Sequence, residues 1–223
     1  MNAMAKGFAL AALAASVAMP LSYVPSYADT PADTLVVANR IDDIVSLDPA
    51  EIFEFAGGDL ANNVYDTLIT FDAADLSKGY VPGLAESWKI SDDGTTYTFK
   101  IRDAKFSDGS QITSEDVKFS LDRIRGDEGS LWSDSYQIIE NMETPDPQTL
   151  VVTLSGASAP FLASLAMPGA SIVSKAGMEE MGVEAYAERP IASGAFSVED
   201  WLRGDRVVLT KNPHFWEADR VSL

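Results

Sequence analysis

The chain has no cysteine and a single histidine, and its 34 acidic residues outnumber its 16 basic ones. Each shortage closes a class of function. Without cysteine there is no disulfide, no thiolate metal site and no lipid anchor on an N-terminal cysteine. One imidazole cannot supply the several nitrogen or sulfur ligands that zinc takes. A Ser-His-Asp triad would have to use His214, which sits in the turn-like stretch Asn212–Trp216, and no G-x-S-x-G elbow accompanies it. A structural imidazole accounts for His214 better. The formal net charge of −18 repels nucleic acid and anionic lipid and suits a soluble monomer. No stretch is apolar enough to span a bilayer. The run Phe8–Met19 has about 12 residues, where a spanning helix takes about 20.

That short run has another use. Lys6 precedes it, Pro20 ends it, and Ser26-Tyr27-Ala28 places small residues at −3 and −1 of a cleavage point before Asp29. Residues 1–28 therefore read as a cleavable secretory signal peptide, and the chain is expected in the periplasm.

Over the whole chain, hydrophobic residues at 46% are enough for a packed core. Thr34–Ala38 (TLVVA) reads as a short buried strand, and Asp48-Pro49 as a turn. Gly57-Gly58 reads as a break before a helix capped by Asp59, with Leu60, Val64 and Leu68 on one face. Trp88 and Ile90, then Tyr97, Phe99 and Ile101, alternate with polar residues on either side of Asp92-Asp93-Gly94-Thr95, the mark of a hairpin. Thr113 with Asp116 three residues on resembles a capping box for a helix carrying Val117, Leu121 and Ile124 and ending at Gly126. Thr149–Leu154 is a further strand. Ser158–Met167 and Ser174–Met181 are short helices, the second stopped by Gly182, and 195–201 with 206–211 form a second hairpin. Antiparallel pairs with helices between them imply an α/β or α+β chain with mixed sheets. The part from 76 to 185 reads as a sub-domain inserted between an early and a late segment.

The Asp-rich turns are the first candidates for chemistry. An EF-hand loop needs alternating ligands and a Glu at its twelfth position, but Asp92 and Asp93 are adjacent and the twelfth position holds Asp103. Asp-Gly is a common turn pair because both residues tolerate positive φ, so turn formation is the better account. Gly57-Gly58 lacks the lysine and spacing of a phosphate loop. No pair of carboxylates is placed at a common site, which argues against an acid–base hydrolase. No cofactor and no metal are expected. The stretch Glu51–Gly58 (EIFEFAGG) is more suggestive. Aromatic walls, one charge and glycine backbone before a helix N-terminus suit a small-ligand pocket, with core packing of Phe53 and Phe55 as the competing account.

The order of parts resembles the family 5 extracytoplasmic solute-binding proteins of ABC transporters, the dipeptide, oligopeptide and nickel group. The resemblance rests on TLVVA…SLDPA, on NVYDTLITFD, on VPGLAESWKISDDGTTYTFKIRDAKFSDGSQITSEDVKFSLDRI with its Asp-Val-x-x-Ser helix, and on PIASGAFSVEDWLRGDRVVLTKNPHFW. It implies a type II periplasmic-binding-protein fold of the α/β class. Residues 29–75 would be the first segment of lobe I, 76–185 its inserted sub-domain and 186–223 its return segment. The second lobe, which normally encloses the ligand, would be missing. The family's Gly-Thr-Gly-Pro before the late hairpin reads here as Ala192-Ser193-Gly194-Ala195.

By position the resemblance offers Phe53, Glu54, Phe55, Ala56 and Gly57 as ligand-facing residues, with Trp132 and Tyr136 after the Asp-Val-x-x-Ser helix. Phe55 and Trp132 would stack on the solute and Glu54 would receive a cation or amino group. The carboxylate that meets a peptide's amino terminus would come from the other lobe. The implied role is capture of peptides or a similar small solute for delivery to an ABC permease in the inner membrane, without catalysis. The alternatives are a truncated remnant that binds nothing and a secreted acid–base hydrolase.

Overall fold

A computed structural model describes residues 30–72, 74–126 and 130–221. The expected signal peptide, residues 1–28, lies outside these residues. No helix among the described residues is long and apolar enough to cross a membrane. The chain divides into a unit of residues 1–36 and a unit of residues 37–223. Among the described residues, all the regular structure belongs to the second unit.

Its centre is a four-stranded sheet in the order β3 (Ala85–Ile90), β4 (Thr96–Ile101), β6 (Thr149–Leu154), β5 (Ile139–Asp146). Every described pairing is antiparallel. Alternation decides which side chains enter the core. Tyr97, Phe99 and Ile101 face one way with Leu150, Val152 and Leu154, and all six are buried. Register places Tyr97 opposite Val152 and Phe99 opposite Leu150. Helix α2 (Ser114–Gly126) covers that face with Val117, Leu121 and Ile124. The Asp116 carboxylate accepts from both Thr113 N–H (2.9 Å) and Thr113 O–H (2.7 Å), which closes the first turn of α2. The hairpin turn behaves as expected. Asp93 Oδ1 accepts from Ser91 Oγ, Thr95 N and Thr95 Oγ1, and Gly94 takes φ +73°.

A second apolar cluster joins Ile44, Leu47 and Ile52 to Ala61, Val64 and Tyr65 of the α1 region, to Met178 and Tyr186, and to Val198. The elements are α1 (Phe55–Val64), α4 (Lys175–Met181), α5 (Val183–Glu188) and the hairpin β7 (Phe196–Leu202)–β8 (Arg206–Lys211). Ile191 packs against both clusters. A small pair, β1 (Ile69–Phe71) with β2 (Tyr80–Pro82), follows α1.

Four expectations are corrected. Thr34–Ala38 forms no strand. Leu35, Val36 and Val37 are each about 70% exposed, and no described strand pairs with them. Helix α1 starts at Phe55 and runs through Gly57-Gly58, with Glu54 and not Asp59 in the N-cap position. Leu68 is buried outside that helix, just ahead of β1. The helix expected at Ser158–Met167 shrinks to α3 (Phe161–Ser164), because the chain turns into a 3-10 segment at Pro168–Ala170. Gly182, at φ +82°, ends α4 as expected but also opens α5.

Candidate functional site

The site is built from the turn upward. Asp48 Oδ1 accepts from Ala50 N (3.0 Å), and its backbone oxygen accepts from Glu51 N and Ile52 N. Both carboxylate oxygens also meet Arg123 of α2, so this turn is fixed to the helix before the chain reaches Phe53. Two further bonds tie the loop after α2 to the same turn. Ser130 Oγ donates to Ala50 O (2.8 Å), and Trp132 Nε1 donates to Ile52 O (2.8 Å). The Trp132 ring then stands 5.7 Å from that of Phe53, tilted by 57°. Rings at that spacing attract through edge and face and exclude water between them.

Phe53 remains 62% exposed, so the pair presents an aromatic wall to solution. It lies at the head of α1, where the helix dipole and unpaired N–H groups favour negative charge. Glu54 occupies that point. Its Oε2 accepts from Phe53 N (3.0 Å), while its Oε1 is buried with no donor among the described residues. A Cβ on Gly57 would stand 2.9 Å from that oxygen, so glycine makes room for the carboxylate.

The structure thus brings Phe53, Glu54, Gly57 and Trp132 into one neighbourhood, with Phe55 and Ala56 on the same first turn of α1. Phe55 is 97% exposed, and the ring that meets Trp132 is that of Phe53. Ala56 is buried in the second apolar cluster. Tyr136, expected to face the solute, is fully buried, and its hydroxyl donates to Ser164 O (2.8 Å). Burial also pushes its pKa well above that of a free phenol. The cause is its place on a 3-10 turn that points inward at the sheet. Of the two Glu54 oxygens, Oε1 is closed off from solution, and Oε2 accepts from Phe53 N with a further lone pair to spare.

Two groups that sequence reasoning does not single out also matter here. Gly169 lies under Trp132, far along the chain, and nothing local marks it. Asp66 accepts from Trp216 Nε1 (2.6 Å), and Arg102 stacks on the Trp216 ring at 3.5 Å. Burial pushes the Asp66 pKa up to about 7, against the opposing pull of the Trp216 bond and the Arg102 charge. This cluster fastens the late Asn212–Trp216 segment to the end of α1. The segment that departs from Gly-Thr-Gly-Pro is fastened there too. Ser193 Oγ accepts from Asp66 N and donates to Ile172 O, and Gly194 N donates to Val64 O.

Residues 79–223 match the family model described as bacterial extracellular solute-binding proteins, family 5 Middle. The probable D,D-dipeptide-binding periplasmic protein DdpA of Escherichia coli K12 is 32% identical over 90% of this chain and 40% of its own length. The periplasmic oligopeptide-binding protein OppA of the same organism is 29% identical over 98% of this chain and 43% of its own. The solved structure of MoaA from A. tumefaciens R10, in complex with mannopinic acid, superposes with a TM-score of 0.74 and 32% identity, covering 78% of this chain and 36% of that one. The chain therefore spans about two fifths of the length of the curated relatives it matches. Such a match, running through both hairpins and α2, shows that the chain belongs to family 5 of the bacterial extracellular solute-binding proteins.

Proposed function

We propose that the chain supplies one wall of a solute-binding protein that captures peptides or a similar small solute in the periplasm and hands it to an ABC permease. The observation that carries this reading is the exposed Phe53 ring held against Trp132 in a chain of this family. An aromatic surface whose polar atoms are already satisfied takes up aliphatic stems and peptide planes with little ordering cost. The relatives named for D,D-dipeptides and oligopeptides favour a peptide, and the neighbour holding mannopinic acid keeps other small polar solutes in play. Glu54 Oε2, which keeps a lone pair beside its bond from Phe53 N–H, is the acceptor for a cationic or amino group. Affinity in such proteins comes from closure on both sides of the ligand, and Phe53 and Trp132 belong to one of those sides. The chain acts by binding and not by catalysis.

The test is uptake of labelled di-alanine and tetra-alanine by the source bacterium with this chain deleted and then restored. Uptake should fall on deletion, return with the wild-type chain, and fail to return with Phe53→Ala or Trp132→Ala. Unchanged uptake of both peptides on deletion would overturn the reading for peptides, and the same cells given glutathione or a sugar–amino acid conjugate would show whether another solute takes their place.

A further inference from the structure

The Trp132 indole lies flat on the backbone of Gly169. A Cβ built there would stand 2.5 Å from Trp132 Cγ, 2.7 Å from Cδ2 and 2.8 Å from Cδ1, closer than carbon atoms approach. Gly169 is buried in the 3-10 segment Pro168–Ala170 and does not take a positive φ. Its conformation would therefore accept alanine, and the missing side chain answers to the indole alone. On its other sides Trp132 has few ways to yield. Nε1 is bonded to Ile52 O, the Phe53 ring stands 5.7 Å away, and Trp132 N is bonded to Ser130 Oγ (3.3 Å).

We propose that Gly169 is the positioning residue of the aromatic wall. The absence of a side chain lets the indole sink onto the 168–170 backbone, and that depth sets both the Nε1–Ile52 bond and the room in front of Phe53 and Trp132. Bulk at position 169 then works as a spacer. It lifts the indole toward solution, breaks its bond to Ile52 O and narrows the space a solute would occupy. This rests on the reading of Phe53 and Trp132 as a solute wall only for its last step; the placement of the indole is independent of any ligand.

The test separates the two. In the full chain, Trp132 emission is taken as the difference between wild type and Trp132→Phe, since three other tryptophans contribute. Gly169→Ala should shift that difference spectrum to the red and make it more open to acrylamide quenching, and should lower the melting temperature. In a Trp132→Leu background the same Gly169→Ala change should cost little, because the group it strikes is gone. An unshifted spectrum, or an equal melting loss in both backgrounds, would overturn the inference. If Gly169→Ala alone does not fold, folding of Gly169→Ala/Trp132→Leu supports the inference, and failure of both overturns it. A shifted spectrum with wild-type uptake of di-alanine and tetra-alanine leaves Gly169 as the positioning residue and removes the wall from solute capture.

Discussion

Arg123 grips Asp48 with two nitrogens, Nη1 lying 2.7 Å from Oδ1 and Nη2 on Oδ2, and the Asp48 side chain is wholly buried. The pair crosses from α2, which covers the four-stranded sheet, to the turn that leads into Phe53. Removing one partner strands the other charge away from water. Arg123→Met should cost about 3–5 kcal/mol, whereas adding Asp48→Asn to it should recover part of that loss. Urea unfolding of the two variants measures this. A single variant within about 0.5 kcal/mol of wild type, the range of ordinary surface changes, would show that the pair does not hold the turn.

Two glycines should respond to alanine with opposite signs. Gly58 lies inside α1 with open space where a Cβ would stand, nothing coming within 4 Å, so Gly58→Ala should stabilise by about 0.5–1 kcal/mol through the unfolded chain and helix propensity. Gly194 is different. A Cβ there would meet Tyr65 N at 2.8 Å, Val64 C at 2.9 Å and Asn63 O at 3.0 Å, all backbone atoms that cannot swing aside. Gly194→Ala should destabilise by at least about 1–3 kcal/mol, as overpacking does. Thermal melts of both variants check the pair, and a shared sign would contradict the assignment of the clash.

Tyr136 separates structural support from ligand contact. Tyr136→Phe keeps the ring in the core and removes one of the two donors to Ser164 O, Met167 N–H remaining, a loss of about 0.5–1.5 kcal/mol. Uptake of tetra-alanine per folded molecule should be unchanged, while Phe53→Ala, at an exposed position, should leave stability nearly intact and reduce uptake. The reverse result would put the Tyr136 hydroxyl in contact with solute.

How much of the fold is legible in the sequence depends on the range of the signal. Trp88 to Ile101 can be read because alternation is local and one face of β4 is fully buried. Strand β5 carries no such mark, because register shifts between Ile139 and Asn141 and between Glu143 and Asp146 erase its period of two. The start of α1 is hidden because Gly57-Gly58 looks like a breaker; in place, Gly57 is needed where Glu54 and Ile52 come within about 3 Å of its missing side chain. At the site, Phe53, Glu54 and Gly57 are within reach because they share one short stretch with Phe55. Which phenylalanine faces Trp132, and that Tyr136 points inward, depend on how the 130–136 loop docks on residues 50–52. The support from Gly169 is a contact between distant segments and has no local mark at all.

Asp66 gives the chain a pH dependence whose sign can be worked out. Its carboxyl is held beside Trp216 with Arg102 and Glu217 as the facing charges, and burial raises its pKa to about 7 from an ordinary value of 3.8. Between those values the folded chain holds a proton that the unfolded chain has released. This group therefore favours the fold most below about pH 4, and its contribution declines as pH rises through about 7. The change across that window is at most on the order of 4 kcal/mol. Asp66→Asn keeps an oxygen to accept from Trp216 Nε1 and removes the titration. It should melt higher than wild type at about pH 8, and the advantage should shrink steadily toward about pH 4.5. Melting curves at several pH values between these limits decide the matter: a constant gap between the two proteins would mean that Asp66 is already ionised in the fold at ordinary acidity, with Arg102 outweighing burial.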